Sequence, residues 1–273
     1  FMEPVSGRAE GKPDITILSG NRVLITWQVA DLETHESDIW YSFINKTPNG
    51  WHASHPAILS QADGLETEVK VESPEENIAV AVWKNTLDPE NGTTVLMSSV
   101  FNGSYWTGPE MIPPLKSEIY INYFDMDFEN DLGGLVWAEY ISGKEVNNHE
   151  MLQFLPWDPI GNKWSKDGPE CLLVDSAAHI QLPRITVCES GTAAITCKME
   201  TLGFTDPEAR ISHVDLFTGK LNNLNAGWER LSASNIVCDT NKQIREMEIT
   251  FAGRDTLVIL SHEFIMAATN MEY

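Results

Sequence analysis

Short runs of alternating apolar and polar residues, rich in Val, Ile, Thr, Trp, Tyr and Phe, dominate this chain. Gly, Pro, Asn and Asp fill the gaps between them. Alternation with a period of two is the mark of a half-buried β-strand, and the gap residues are those that make tight turns. No stretch carries the 3.6-residue apolar period of an amphipathic helix. The first quarter reads strand by strand. Asp14 to Leu18 is followed by a turn at Ser19-Gly20-Asn21 and by Arg22 to Val29. After an acidic loop from Asp31 to Asp38 come Ile39 to Ile44, a turn at Pro48-Asn49-Gly50 and a last strand from Trp51.

This unit recurs. Four strand-like segments end on a large or soft residue: VLITW at Trp27, AVAVW at Trp83, GGLVW at Trp137 and AAITC at Cys197. A fifth, LVILS, ends at Ser261. The successive intervals are 83−27 = 56, 137−83 = 54, 197−137 = 60 and 261−197 = 64. A second series keeps step with the first: Trp51, Trp106, Trp164 and Trp228, each shortly after a Gly, at intervals of 55, 58 and 64. Two interleaved series with one period predict a repeat architecture of four-stranded antiparallel sheets, a β-propeller. The marker strands are apolar at successive positions, as a sheet covered on both faces requires, and the recurring Trp is expected to fill the space between sheets. The expected blades are 14–66, 67–118, 119–179, 180–244, and 245–273 completed by 1–13. The N-terminal strand, FMEPVSG onward, would thus close the last of five blades and hide two sheet edges. The alternative is a piece of a six- or seven-bladed propeller.

Composition narrows the function classes. The 273 residues are 42% hydrophobic and 21% charged, which is globular. Forty acids against 18 bases leave −22, so most of the surface repels a polyanion and nucleic acid is set aside. No apolar run reaches the roughly 18 residues of a membrane helix. The sequence opens at Phe1 without a recognisable signal peptide, which reads as a processed or excised end from which a leader could have been removed, and a secreted or cell-surface location is expected. Cys171, Cys188, Cys197 and Cys238 form no C-x-x-C pair, so a zinc site lacks support. Cys197, at a marker position, reads as a buried core thiol.

The segment Ser99-Val-Phe-Asn-Gly-Ser-Tyr-Trp106 resembles the Asp-box, S-x-D-x-G-x-x-W, of sialidase-like (BNR-repeat) propellers. Ser99, Gly103 and Trp106 match, and Phe101 stands at the Asp position. The other copies keep only Gly and Trp. Pro183 to Cys197 is similar to the first hairpin of such blades. In that family the motif is a structural turn away from the active site. The resemblance also implies three carboxylate-binding arginines, a Tyr–Glu nucleophile pair and an acid/base Asp. Of the seven arginines only Arg184 falls in an innermost strand.

Stepping back thirteen positions from each marker gives the equivalent innermost position: Asp14, Lys70, Phe124, Arg184 and Glu248. A shift by one exchanges Phe124 for Asp125. The column suits a wet channel. Asp14, Asp125 and Glu248 are the candidate catalytic carboxylates, because glycoside hydrolysis needs two acids about 5 Å apart for retention or about 6.5–9.5 Å for inversion. Arg184 and Lys70 are the candidate ligand-binding cations. Trp157, between Pro156 and Asp158, is the candidate exposed aromatic for stacking on a sugar. The run from Asp125 to Asp131 alternates oxygen ligands that suit calcium, but it lacks the Gly and closing Glu of an EF-hand, and an acidic turn is the plainer reading. No metal or organic cofactor is otherwise called for. The sequence therefore points to a non-catalytic sialidase-like propeller that binds carbohydrate or protein. A glycoside hydrolase with carboxylates at the channel mouth is the alternative.

Overall fold

The protein is described from a computed structural model. The described residues are 8–34, 36–62, 64–88, 92–112, 119–143, 146–176, 178–202, 210–222, 227–231, 242–252 and 256–265. Every element among them is a β-strand, and none is a helix long and apolar enough to cross a membrane. The chain divides into two compact units, residues 1–121 with 157–168, and residues 122–156 with 169–273.

In the first unit, β1 (Arg8–Glu10), β2 (Asp14–Ser19), β3 (Arg22–Asp31), β4 (Ser37–Thr47), β5 (Gly50–Ala53) and β6 (Ala57–Ser60) form one antiparallel group. The next group is β7 (Leu65–Glu72), β8 (Ala79–Asp88), β9 (Thr93–Phe101) and β10 (Glu110–Ile112). A single parallel pair, Ser37 with Leu65, links the two. Leu18, Leu24, Ile39, Val71, Ala81, Trp83 and Phe101 make the shared core.

The second unit continues the pattern with β11 (Ile119–Glu129), β12 (Leu132–Gly143), β13 (Val146–Asp158) and β15 (Glu170–Asp175). The short β14 (Lys163–Trp164), the start of β11 up to Ile121 and the end of β13 fall in the first unit. Next come β16 (Ala178–Val187), β17 (Thr192–Leu202), β18 (Arg210–Lys220) and β19 (Trp228–Leu231), then β20 (Lys242–Phe251) and β21 (Leu257–Ile265). The β11–β12 turn has Asn130 and Asp131 both at positive φ, 51° and 65°, the paired left-handed geometry of a two-residue hairpin. The sheet of β12 and β13 packs against that of β16–β18 through Val136, Leu152, Phe154, Ile180, Ile195 and Phe217. Gly134 allows this density, since a Cβ there would collide with the Phe154 ring.

Four of the five marker residues are buried as the pattern placed them, and the side chain of the fifth, Ser261, lies outside those described. Trp83 is 0% exposed, Trp137 1%, Cys197 0% and Trp27 7%. Ala79–Val82 of β8 and Leu135–Ala138 of β12 are buried without a break, as sheets covered on both faces demand. Burial of an indole also requires an acceptor for its N–H. Trp83 Nε1 donates to Glu66 Oε1 at 2.7 Å, and Trp137 Nε1 to Glu139 Oε2 at 2.8 Å. Both carboxylates are themselves buried. Glu66 also accepts from Ser60 Oγ at 2.6 Å, and Glu139 from Gln153 Nε2 at 3.0 Å. Burial pushes the Glu66 carboxyl up, against the pull of these donors.

The second tryptophan series marks one recurring place, the first or second paired residue after the turn that follows the third strand. The pairs are Trp51 with Lys46, Trp106 with Phe101, Trp164 with Trp157 and Trp228 with Gly219. In the Asp-box-like hairpin, Asn102 Oδ1 accepts from the N–H groups of Ser104 and Tyr105, both at 3.1 Å. Phe101, at the family's Asp position, is instead buried in the core.

One expectation is corrected. Arg8–Glu10 pair with Val29–Asp31 of β3, and β2 follows on the same strand, so this stretch extends the first sheet rather than the last. The remaining part of the expected closing strand, residues 1–7, lies outside the described residues.

Replacing Trp83 by Phe keeps most of the ring but strips the Glu66 carboxylate of a donor. A loss of about 1–3 kcal/mol is expected in urea unfolding. Trp51→Phe, at a position 52% exposed, should change stability by no more than about 0.5 kcal/mol.

Candidate functional site

Strands β2, β7, β11 and β16 each lead an antiparallel run of strands, and each leaves alternate backbone N–H groups turned away from its antiparallel partner. These groups need acceptors. For β7 and β16, carboxylates on β2 and β11 supply them. Asp14 Oδ2 accepts from Val71 N at 2.7 Å, Asp125 Oδ2 from Ile185 N at 3.1 Å, and Asp127 Oδ2 from Val187 N at 2.7 Å. Donor and acceptor are 57, 60 and 60 residues apart, the repeat period itself.

Asp14 and Asp125 therefore do occupy equivalent positions, and the residue that each holds directly follows the cation of the same column: Val71 follows Lys70, and Ile185 follows Arg184. Asp14 and Lys70 lie in the first unit, and Asp125, Arg184 and Glu248 in the second. Asp14 is half-buried and Asp125 is 7% exposed. Lys70 is half-buried opposite Val82. Arg184 and Glu248 come together: Nε lies 3.5 Å from Oε1, with the Arg side chain 18% exposed and the Glu side chain 70%. The Arg184 guanidinium also donates to the Pro183 carbonyl at 3.0 Å.

Trp157 is not the exposed ring the sequence suggested. It is 6% exposed and meets Trp164 edge to face at 5.2 Å between centroids. Its loop-like neighbours Pro156 and Asp158 hide a cross-strand aromatic partner seven positions on. The run considered for calcium is strand β11 from Asp125 to Glu129 followed by the two-residue turn. Its first two carboxylates face β16 amides.

The residue that sequence reasoning missed is Asp127. Burial pushes its carboxyl up to about 6, with the negative charge of Asp125 adding to the effect, against hydrogen bonds from Val187, Phe128 and Thr186. The signal was available: Asp125 and Asp127, two apart on one strand, share a face. Elsewhere in the second unit, His179 Nδ1 meets Glu150 Oε1 at 2.6 Å, and Lys198 and Glu200 form a buried ion pair at 2.8 Å. Among the described residues no cluster of three metal-ligating side chains is present.

No family model and no curated protein matches the chain. Solved structures do. A protein of unknown function from Dyadobacter fermentans is 12% identical at a TM-score of 0.53, covering 90% of this chain and 72% of its own. A B. subtilis levansucrase mutant is 10% identical at 0.52, covering 94% and 79%. An endo-arabinase from Bacteroides thetaiotaomicron is 11% identical at 0.47, covering 93% and 92%, too distant to weigh. At such identities the first two speak to fold alone, and that fold is all-β and propeller-like.

The raised pKa of Asp127 sets a pH dependence. Its folded value, about 6, exceeds the ordinary 3.8, so the stability it contributes is complete below about pH 3.8 and is lost as pH rises through 6. Asp127→Asn keeps an acceptor for Val187 without the charge. It should unfold at higher urea concentration than the parent at pH 7.5, by up to about 3 kcal/mol, and at nearly the same concentration at pH 4.

Proposed function

We propose that this chain is a five-sheet, sialidase-like propeller that binds carbohydrate and does not hydrolyse it. The observation that carries the reading is the employment of the candidate acids. Asp14 and Asp125 hold backbone amides of a neighbouring sheet, and Glu248 is set against Arg184. A general acid and a nucleophile must instead face a substrate with their oxygens available. The grouping of strands at one repeat supports five sheets. The likeness to a levansucrase, a protein whose name places it among sugar-processing enzymes, makes a saccharide a better first ligand than a protein. The acidic surface fits neither a polyanionic nucleic acid nor a bare anion.

One observation favours the alternative, a glycoside hydrolase. Asp127 titrates near 6, in the range of a catalytic proton donor, and Glu248, of the innermost column, has an exposed side chain. A panel of chromogenic glycosides separates the readings. The expected result is no release of chromophore above the buffer rate, together with retention of the protein on a glycan array. Turnover abolished by both Asp127→Asn and Glu248→Gln would instead establish hydrolysis.

A further inference from the structure

Asn-Gly pairs stand at 49–50, 91–92 and 102–103. Asn91 lies outside the described residues. In such a pair the backbone nitrogen of the second residue can close a five-membered ring on the side-chain carbonyl carbon of the first, because glycine has no Cβ to obstruct the approach. Asn49 and Asn102 are both exposed, but the groups around them differ.

In the Asp-box-like hairpin, three requirements of that ring closure are met together. The electrophile is polarised, since Asn102 Oδ1 accepts from Ser104 N and Tyr105 N, both at 3.1 Å. These N–H groups are aimed at the atom that takes up negative charge when Cγ becomes tetrahedral, as in an oxyanion hole. The nucleophile is available: Gly103, at φ 91°, makes no hydrogen bond through its N–H among the described residues. The leaving group is available too, because Asn102 Nδ2 donates to no described residue. The turn is held in this arrangement by bonds from Asn102 N to Tyr105 O at 3.1 Å, from Thr107 N to Val100 O at 2.8 Å and from Ser99 Oγ to Thr107 O at 2.7 Å. The other pair is built differently. Gly50 closes the two-residue β4–β5 turn opposite Thr47, which directs its N–H into the ladder, and no described N–H donates to the Asn49 side chain.

We propose that Asn102 is a self-modification site, where the folded chain converts a carboxamide to a carboxylate through a cyclic imide. Hydroxide takes the Gly103 amide proton, and the nitrogen bonds to Asn102 Cγ while Oδ1 holds the charge. The Cγ–Nδ2 bond then breaks, and Nδ2 takes a proton from water and leaves as ammonia, which regenerates hydroxide. Water adds to either carbonyl carbon of the imide and leaves aspartate or isoaspartate. The isoaspartyl form carries one more main-chain carbon between positions 102 and 103, so its free carboxylate no longer sits over the N–H groups of Ser104 and Tyr105. That turn secures Trp106, which packs on Tyr41 and Phe101 at 5.6 and 5.5 Å with its Nε1 buried and without an acceptor among the described residues. Such burial costs about 1–3 kcal/mol, so loosening the turn frees the ring. The site is independent of the carbohydrate reading.

The test holds the full chain at mildly alkaline pH, folded and in parallel in concentrated urea, and follows amide-to-acid exchange at each Asn by mass spectrometry of proteolytic peptides. In the folded chain Asn102 should convert about tenfold faster than Asn49, or about 1.4 kcal/mol of barrier. The factor is modest because the two donors also bind the ground-state oxygen, and only the difference counts. In urea the two rates should come together. Equal or slower conversion at Asn102 in the folded chain, or a preference that survives in urea, would overturn the site. Asn102→Asp keeps an acceptor for both N–H groups and should unfold at the parent's urea concentration. The isoaspartyl form, separated by chromatography, should unfold at a lower one, and a parent-like midpoint for it would overturn the release of Trp106.

Discussion

A sheet that begins on an unpaired strand must find acceptors for the amides it turns away from its own ladder, and this chain finds them in carboxylates placed one repeat earlier. Asp14 serves Val71, Asp125 serves Ile185 and Asp127 serves Val187. An edge amide left without an acceptor costs about 1–3 kcal/mol, and these carboxylates remove that cost. The contact is also directional. It fixes the register of one sheet on the next, which apolar packing alone does loosely. The even spacing of donor and acceptor is therefore a requirement of the architecture rather than a trace of its ancestry.

The tryptophan column meets the complementary need. Strands covered on both faces bury their large side chains completely, and an indole brings one polar group that cannot be left behind. Trp83 and Trp137 answer this with Glu66 and Glu139, each buried and each taking a second donor from a neighbour, Ser60 or Gln153. Where Cys197 replaces the indole no such acceptor is needed. There the neighbouring polar positions, Lys198 and Glu200, pair with each other instead. Burial raises the Cys197 thiol well above its usual range, which keeps it inert.

The repeat was legible because both tryptophan series answer to constraints that act locally in sequence: a buried position in the second strand, and the first pairs of a hairpin. The innermost column was legible for the same reason, since counting back from a marker follows a ladder. The use made of that column was not. An Asp that lines a channel and an Asp that caps a neighbouring strand look alike, because the amide it serves lies a whole repeat away. Trp157 was misread on the same ground. Its flanking Pro and Asp suggest a loop, and only the pairing with Lys163–Trp164 shows that the segment is still a strand. The pairing of Arg8–Glu10 with β3 went unforeseen because the gap at Gly11–Pro13 looks like the end of a strand, while β3 is long enough to accept partners on both sides of it.

Structural use of the acid column also decides where chemistry can arise. A carboxylate bound to a strand amide is held in place with an oxygen already engaged, and it is less available to a substrate than one whose oxygens face solvent. Asp125 at 7% exposure and Glu248, whose side chain is 70% exposed, are the two extremes of one column. Asp127 stands between them, tied to Val187 yet desolvated enough to titrate near 6. New chemistry on such a scaffold is therefore favoured where a carboxylate keeps its oxygens clear of strand amides.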